Sequence, residues 1–462
     1  MVVVGDALLD RDVEGTVERL SPDAPVPVVD HPIERVRPGG AALAAALAAA
    51  DGRQVVLVTA LADDAPGREL AAALGAVGVR VVNVGLSGGT PEKVRIRAGG
   101  RSLLRIDRGG PPGTVGPPTG AATDALAEAA TVLVADYGRG MTAQPAFRHA
   151  LESLVTGTPL VWDPHPRGVE PVPGAWIVTP NRREAEHFAP ASPGDGVPAV
   201  AQRARALVSR WRARSVAVTM GEQGALLATG DGSPLLVPAP RAALSDTCGA
   251  GDRFSATCAE LLADGALLSE AVEGAVAAAS AFVAAGAAGA LRLPAPGDGA
   301  AGDDGVHHDR STAGDVVAEV RRRRGTVVAT GGCFDILHAG HVALLEGARA
   351  LGDCLVVCLN SDASVRRLKG PHRPFVGQAD RAALLSALAC VDAVVTFDED
   401  TPEAVLERIR PDIFVKGGDY GGAELPEARV LERWGGQAVV LPYVEGRSSS
   451  GLAREVARRA TR

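Results

Sequence analysis

The residues whose spacing most directly indicates chemistry are Gly249, Ala250, Gly251 and Asp252, which precede a helix-compatible run, Arg253–Ala263. Small residues before a helix let backbone N–H groups converge on an anion, and the helix dipole assists. A carboxylate directly after them would repel phosphate, but it can take a proton from a hydroxyl that attacks the phosphate. The spacing predicts phosphoryl transfer, with Asp252 as base and the preceding backbone as anion hole. A glycine-rich turn ending in an Asp N-cap is the alternative.

Other polar residues of the N-terminal half also precede helices. Asn181 and Glu184 lie three apart at a predicted helix start, so they share one face and can hold a hydrated Mg²⁺ through water. The same pair is also typical of a capping box. Asp10 follows the first apolar run, where a carboxylate can bind sugar hydroxyls, and Gly39 and Gly40 open the next helix.

The C-terminal half contains two histidines in a Gly-rich strand-to-helix turn. The turn includes Gly331, Phe334 and Asp335 and continues into His338 and His341. Two imidazoles three apart at a helix start face the same way and can donate hydrogen bonds to nucleotide phosphates. Zinc is the competing interpretation, but no nearby Cys, His or Glu has the spacing of a third ligand. The pattern predicts a nucleotide phosphate site.

Further residues of this half indicate a second anion site near the same turn. Candidates for nucleotide binding in this half are the cations Lys369, Lys416 and Arg447, the small or hydroxyl residues Gly417, Ser448, Ser449 and Ser450, and the carboxylate Asp419. The three serines precede the last predicted helix, so an ordinary N-cap is the alternative.

The elements that must position these residues alternate between buried strands and Ala-rich helices. This alternation is typical of a mostly parallel sheet covered by helices. Apolar runs predict strands at Val2–Val4, Val55–Val58, Thr131–Ala135, Leu160–Trp162, Ala175–Val178 and Val216–Thr219. The strict alternation from Lys93, a Gly-Gly turn and a return to Asp107 predict a hairpin. Such a hairpin can belong to a lid over the strand ends.

Composition divides the chain. Residues 294–314 are rich in Gly, Pro and Asp, which predicts a flexible linker between domains at 1–293 and 315–462. The net charge of -8 argues against a nucleic-acid binder. No zinc-spaced or disulfide-like cysteine pattern, basic leader or strongly apolar 20-residue run is present. We expect a cytoplasmic α/β enzyme that binds neither nucleic acid nor membrane.

The N-terminal motifs resemble those of the ribokinase-like, PfkB-type carbohydrate kinases. The more specific likeness is to the kinase half of the bifunctional heptose 7-phosphate kinase/heptose 1-phosphate adenylyltransferase family, through Gly5–Arg11, Leu20–Val29, Arg37–Ala42, Asp136–Gly140 and Thr179–Glu184. This resemblance implies a β lid, ATP, Mg²⁺ and phosphorylation of the anomeric hydroxyl of a heptose 7-phosphate. It implies that Asp10, Gly39 and Gly40 bind the sugar, and it makes Lys93, Arg95 and Arg105 candidates for the sugar's phosphate. Solvated strand faces are the alternative for these three cations.

Three positions depart from the pattern of the kinase family. Leu43 stands where the family has an asparagine that helps bind the sugar, and His165 and Arg139 stand where it has lysines. These departures leave the identity of the sugar open.

Residues 325–460 resemble the cytidylyltransferase-like nucleotidyltransferases, which implies a Rossmann-like α/β domain. The resemblance implies attack of a sugar 1-phosphate on the α-phosphate of a nucleotide, with pyrophosphate leaving together with Mg²⁺. His338 and His341 would stabilise the transition state, and Lys369, Lys416 and Ser448–Ser450 would bind phosphates. The strings at Asn360–Gly370 and Val415–Tyr420 look like the adenylyltransferase half of the heptose enzyme and favour ATP over CTP.

Two alternatives remain at this point. One keeps both folds but changes the substrate to another sugar or polyol phosphate, with CTP in the second reaction. The other makes the N-terminal half a sugar-binding module without kinase activity. In every case the partners are small sugar phosphates and a nucleotide, and the exposed lid predicts a homodimer.

Overall fold

A computed structural model describes residues 1–98, 101–190, 194, 196–230, 232–240, 247–290, 313–418 and 425–442. The chain groups into two compact units. The first contains Met1–Ala189, Ala206–Thr219 and Arg241–Leu291, and the second contains Pro190–Arg205, Met220–Pro240 and Arg292–Arg462. The predicted linker at 294–314 lies almost wholly outside the described residues, so the predicted domain boundaries stay predictions.

The elements before residue 220 are β1 (Val2–Gly5), β2 (Ala7–Leu20), β3 (Pro27–Gly40), α1 (Ala41–Ala50), β4 (Val55–Thr59), α2 (Ala65–Ala76), β5 (Val79–Asn83), β6 (Glu92–Ala98), β7 (Arg101–Arg108), α3 (Gly120–Ala127), β8 (Val132–Ala135), α4 (Pro145–Leu154), β9 (Leu160–Asp163), β10 (Ile177–Val178), α5 (Arg182–Phe188), α6 (Val197–Trp211) and β11 (Val216–Thr219).

The elements after residue 220 are β12 (Ala225–Ala228), β13 (Leu235–Val237), α7 (Ala250–Ala263), α8 (Leu268–Ala284), α9 (Ala313–Arg322), β14 (Val327–Gly332), α10 (Ala339–Arg349), β15 (Cys354–Asn360), α11 (Asp362–Lys369), α12 (Gln378–Ser386), β16 (Ala393–Phe397), α13 (Glu403–Ile409), β17 (Ile413–Gly417), α14 (Ala428–Leu431) and β18 (Gln437–Leu441).

The first unit is built on a parallel sheet with the strand order β5-β4-β1-β8-β9-β10-β11. Strands β1 and β8 are fully buried, as expected for a parallel sheet covered on both faces. The six predicted strands of this unit are present, with ends that differ by two residues at most. Because all seven strands run the same way, their carboxyl ends meet along one edge.

A second, four-stranded sheet has the order β3-β2-β6-β7. Strands β6 and β7 pair antiparallel, which confirms the predicted hairpin, and β2 pairs parallel with β6 and antiparallel with β3. We call these four strands the lid. Large apolar side chains of the lid that remain exposed are Leu20, Ile33, Leu103, Leu104 and Ile106.

The second unit has a sheet with the order β16-β15-β14-β17-β18-β13-β12, parallel except where β12 meets β13. Its core packs β14 and β15 against α9, α13 and α14. Cys354 and Cys358 on β15 are buried in this core. Among the described residues, no helix is long and apolar enough to span a membrane.

Candidate active sites

Asp252 lies in the first turn of α7 and is only 8% exposed. The N-cap of this helix is Gly249, in the left-handed region with a φ of 85°, where a Cβ would also come within 2.9 Å of the Leu43 side chain. Glycine is therefore required there. The first N–H groups of a helix lack partners inside it. The structure places Gly249 at the start of α7 with Asp252 directly behind it, and anion binding by this turn stays a prediction.

A pocket in front of Asp252 opens at the carboxyl ends of four neighbouring strands. Its wall includes Asp136 and Tyr137 after β8, Asp163 at the end of β9, Thr179 and Asn181 after β10, and Thr219 at the end of β11. The backbone of Gly251 also lines it. Ligands bind at this edge in open α/β sheets. The fold therefore brings the predicted base and the predicted Asn181 and Glu184 to one cavity.

Burial controls the protonation of the carboxylates around this pocket. It raises the pKa of Asp252 to about 7, although a hydrogen bond from Tyr137 and the charge of Lys93 act in the opposite direction. Burial, with Glu184 and Asp252 nearby, also raises the pKa of Asp163 well above its usual range. Burial raises the pKa of Asp136 to about 6. A carboxylate with a pKa near 7 suits proton transfer at neutral pH.

Asn181 and Glu184 form a reciprocal capping box at the start of α5. The Asn181 side chain accepts from the Glu184 N–H at 3.0 Å, and Glu184 Oε2 accepts from the Asn181 N–H at 2.8 Å. The capping box and a site in the pocket are therefore compatible, because both residues also line the cavity. Burial raises the pKa of Glu184.

Asp10, Lys93 and Arg95 come together where β2 meets β6. The Arg95 guanidinium donates to Asp10 Oδ1 at 2.6 Å, and the Lys93 amine lies 5.6 Å from the centre of the Tyr137 ring. A Cβ on Gly39 would lie 2.5 Å from Asp10 Oδ2, so only glycine fits beside this carboxylate. Arg105 is exposed and pairs instead with Asp107 at 2.8 Å. The cluster lies beside the pocket, and Arg105 lies further out on the lid.

The three residues that depart from the kinase pattern each have defined contacts. Leu43 is buried in an apolar cluster with Leu47 and Ala288. The His165 ring lies roughly parallel to the Tyr137 ring at 6.2 Å. Arg139 donates a side-chain hydrogen bond to the Gly110 carbonyl.

In the second unit, His338 is the N-cap of α10 and His341 lies in its first turn. Their rings stack with centroids 3.8 Å apart, and the Phe334 ring is 5.2 Å from that of His341. Burial, with His338 and Lys369 nearby, lowers the pKa of His341 to about 4. His341 is therefore neutral at pH 7, so any contact it makes there is a hydrogen bond rather than an ion pair.

Asp335 is fully buried under the loop that follows α11. Its Oδ1 accepts from the Phe375 and Val376 N–H groups at 2.6 and 3.2 Å, and its Oδ2 lies 3.0 Å from Arg373 Nε. These contacts fix a cationic loop against the histidine turn. Nucleotide binding by Asp335 itself stays a prediction.

The remaining predicted nucleotide-binding residues fall into two groups. Lys416 pairs with Glu427 at 3.0 Å, while Gly331 and Gly417 lie at the ends of β14 and β17. Lys369 ends α11. Predicted residues that lie outside the described part of the chain are Asp419, Arg447, Ser448, Ser449 and Ser450.

Comparisons with known proteins find a match for each half of the chain. The model of the pfkB family carbohydrate kinases matches residues 1–295, and the Cytidylyltransferase-like model matches residues 329–429. The bifunctional protein HldE of Streptomyces coelicolor is 57% identical over 99% of this chain and 96% of that protein. That of Azorhizobium caulinodans is 40% identical over 98% of this chain and 97% of that protein.

The chain belongs to the HldE family of bifunctional proteins. As an HldE-family member it combines a carbohydrate kinase with a nucleotidyltransferase, and the predicted family, fold class and pair of activities are confirmed. Among solved structures, Arabidopsis thaliana ribokinase complexed with ribose and ATP has a TM-score of 0.49 and 24% identity, over 61% of this chain and 91% of that chain.

Two residues of the HldE-family kinase site received no role from the sequence. Tyr137 donates a hydrogen bond to Asp252 at 2.6 Å, and Asp163 is buried in the same pocket. Asp163 directly follows the predicted strand Leu160–Trp162, and this position could have indicated that it lines the site. Nothing in the spacing of Tyr137 and Asp252 along the chain predicts their contact, because the two are 115 residues apart.

Proposed function

We propose that this HldE-family protein phosphorylates heptose 7-phosphate at its anomeric hydroxyl with ATP, giving heptose 1,7-bisphosphate. Its second unit transfers AMP from ATP to heptose 1-phosphate, giving ADP-heptose and pyrophosphate. The observation that carries the kinase proposal is Asp252, a carboxylate with a pKa of about 7 directly behind a helix N-terminus in a pocket at the strand ends.

In the kinase reaction, Asp252 accepts the proton of the anomeric hydroxyl as its oxygen bonds to the γ-phosphorus of ATP. The bond to the β–γ bridging oxygen breaks and ADP leaves. The backbone of Gly249, Ala250 and Gly251 holds the charge that develops on the transferred group, since helix N-termini favour anions.

Magnesium fits this pocket through water. Among the described residues, no group of three His, Cys, Asp or Glu side chains has the geometry to hold a metal ion directly. Asn181 and Glu184 line the cavity, and the capping box engages only Oε2 of Glu184. Mg²⁺ keeps several waters and binds substrate phosphates, so these two residues would hold a hydrated ion on ATP, which neutralises phosphate charge.

The sugar phosphate would lie between the pocket and the lid. Asp10 binds sugar hydroxyls beside Gly39 and Gly40, while Lys93 and Arg95 face its phosphate. The cluster around Asp10 is partly buried and mixes both charges, which supports a polar ligand there. Arg105, exposed on β7, reaches the ligand only from the outer part of the lid.

In the transferase reaction, an oxygen of heptose 1-phosphate attacks the α-phosphorus of ATP, and the bond to pyrophosphate breaks. His338 and His341 donate hydrogen bonds to the phosphates as charge builds up, with Lys369, Lys416 and the backbone of Gly331 nearby. No proton transfer or covalent intermediate is needed, so catalysis is electrostatic.

The alternatives are less well supported. A sugar-binding module without kinase activity would not need a buried carboxylate tuned toward neutral pH behind an anion-binding turn. Another sugar, or CTP in the second reaction, is the remaining substrate alternative. Leu43 is its main support, because the position of the family's asparagine is apolar here.

We also propose a homodimer formed through the lid, in the cytoplasm. Exposed Leu20, Ile33, Leu103, Leu104 and Ile106 on the lid support a partner surface there. The six cysteines, all within the described part of the chain, form no disulfide, which fits a reducing compartment.

One assay tests both activities. Purified protein receives ATP and Mg²⁺ with either heptose 7-phosphate or heptose 1-phosphate, and ADP and pyrophosphate are measured separately. The first sugar should give ADP alone, because its product keeps the 7-phosphate that the transferase substrate lacks. The second sugar should give pyrophosphate. Absence of ADP with every sugar phosphate tried would contradict the kinase proposal.

A further inference from the structure

Tyr137 is the side chain that directly contacts the proposed base of the kinase. Its hydroxyl donates to Oδ1 of Asp252 at 2.6 Å, a short bond typical of a donor to a carboxylate. The contact joins the loop after β8 to the first turn of α7. Tyr137 also lines the pocket in front of Asp252, so the pair faces the bound substrate.

The Tyr137 ring is held in place from both ends. Buried Asp6 accepts the backbone N–H groups of Tyr137, Arg139 and Met141 at 3.1, 2.9 and 3.0 Å, which fixes the loop. The ring itself lies near the Lys93 amine at 5.6 Å and the His165 ring at 6.2 Å. The hydroxyl therefore has a defined place before substrate binds.

We propose that Tyr137 is a positioning residue of the kinase reaction, which holds Oδ1 of Asp252 so that Oδ2 receives the proton of the anomeric hydroxyl. The inference rests on the proposed role of Asp252 as base. With Oδ1 occupied, the substrate proton goes to Oδ2 as the oxygen–phosphorus bond forms and ADP leaves. Tyr137 keeps its own proton throughout.

The charges around Asp252 set the effect of this hydrogen bond. Asp10 on β2 is an acidic neighbour and Lys93 on β6 a basic one, while burial raises the pKa of Asp163 on β9 well above its usual range. Burial, the main cause, raises the pKa of Asp252, and the Tyr137 hydrogen bond lowers it by stabilising the carboxylate. Burial, with Asp252 and Asp163 nearby, also raises the pKa of Tyr137 well above its usual value, so the phenol remains a donor.

The test is the pH dependence of kcat/KM for ADP formation in wild type and Tyr137→Phe. Loss of the Tyr137 hydrogen bond should raise the pKa of Asp252. The acid limb, meaning the low-pH side of the kcat/KM profile, should therefore move to higher pH by about one unit. The rate should then fall about 10-fold below the limb and recover partly above it. A purely structural role would lower the rate at every pH without moving the limb.

A second measurement moves the limb the other way. Replacing the tyrosines by 3-fluorotyrosine makes the phenol a stronger hydrogen-bond donor with little change in size. The acid limb should move to lower pH in wild type and should not move in the Tyr137→Phe background. The shift in wild type tests the inference even where Tyr137→Phe folds poorly, and the Tyr137→Phe background removes any contribution from the other two tyrosines.

The matched control is Thr142→Val, which removes a hydroxyl from the same loop. Thr142 donates to Asp136 at 2.8 Å and has no described contact with Asp252. Its acid limb should coincide with that of wild type. If wild type makes ADP but neither Tyr137→Phe nor fluorotyrosine moves the limb, the inference is wrong and the kinase proposal stands. If wild type makes no ADP, both are wrong.

Discussion

The two active sites use the same physical effect for opposite purposes. In the kinase pocket, burial raises the pKa of Asp252 to about 7. In the transferase turn, burial lowers the pKa of His341 to about 4. Desolvation favours the neutral form in both. A carboxylate with a raised pKa can accept a proton near neutrality. An imidazole with a lowered pKa is uncharged at that pH, so it has no acidic imidazolium proton to transfer, although its remaining N–H can still donate a hydrogen bond.

The difference shows which reaction needs proton transfer. A sugar hydroxyl must lose its proton to become a good nucleophile, while a sugar phosphate is already an anion. The kinase site is accordingly surrounded by carboxylates with raised pKa values, and the transferase site presents two stacked imidazole rings, of which that of His341 is uncharged near neutrality, beside a cationic loop. Each prediction below tests this contrast.

The largest effect should come from Asp252→Asn. Without a proton acceptor, ADP formation should fall about 1,000-fold, within the usual contribution of general-base catalysis. Pyrophosphate release from heptose 1-phosphate should continue at the wild-type rate. Asp264→Asn makes the same change at the far end of α7, where the side chain pairs with Arg53, and should leave ADP formation unchanged. Equal ADP rates in wild type and Asp252→Asn would mean that Asp252 is not the proton acceptor, and the contrast between the two sites would lose its basis.

The next effect should come from His341→Ala, which reverses the pattern. Loss of one preorganised donor should lower pyrophosphate release about 100-fold, with ADP formation unchanged. His341→Asn keeps an N–H donor and should recover part of the rate. If alanine and asparagine are equally impaired, hydrogen bonding by a neutral group is not the role of His341.

Much of this contrast was predictable from sequence, for a physical reason. Strand-to-helix turns keep their functional groups close along the chain, so Gly249 to Asp252 and His338 to His341 predicted both anion sites. The alternating hairpin from Lys93 to Asp107 likewise follows from local pattern, and it is present as β6 and β7.

The contacts that the sequence did not predict join distant segments. Tyr137 meets Asp252 because β8 ends and α7 begins at the same sheet edge. Lys93 was predicted to face a phosphate, and no local pattern indicates that its amine lies near the Tyr137 ring. Protonation could not be predicted either, because the shifts of Asp252 and His341 depend on burial by the whole unit.

A moderate effect should appear in the pH dependence of the two activities of one sample. Kinase kcat/KM should fall about tenfold per unit as the pH drops below about 7, because protonated Asp252 cannot accept a proton. His341 stays neutral down to a pH of about 4. Comparing transferase profiles of wild type and His341→Asn should therefore show no shift between pH 8 and 5. A shift there would mean that His341 titrates like an ordinary histidine, and the contrast would fail.

The smallest effect concerns the helix caps. Asn181 caps α5 through a capping box, whereas the His338 side chain makes no capping hydrogen bond on α10. Asn181→Ala should destabilise the kinase unit by about 1 kcal/mol, the usual cost of losing an N-cap, measured by urea unfolding. It should also raise KM for MgATP if the amide holds a hydrated ion.

Asn181→Ser separates these two contributions, because serine is an equally good N-cap with a shorter side chain. Its unfolding free energy should match wild type while KM for MgATP rises as in the alanine variant. A serine variant with normal KM would leave Asn181 only a capping role, and the metal would then depend on Glu184. His338→Ala should leave the free energy of unfolding unchanged, because the His338 side chain makes no capping hydrogen bond on α10 and is proposed to bind phosphate.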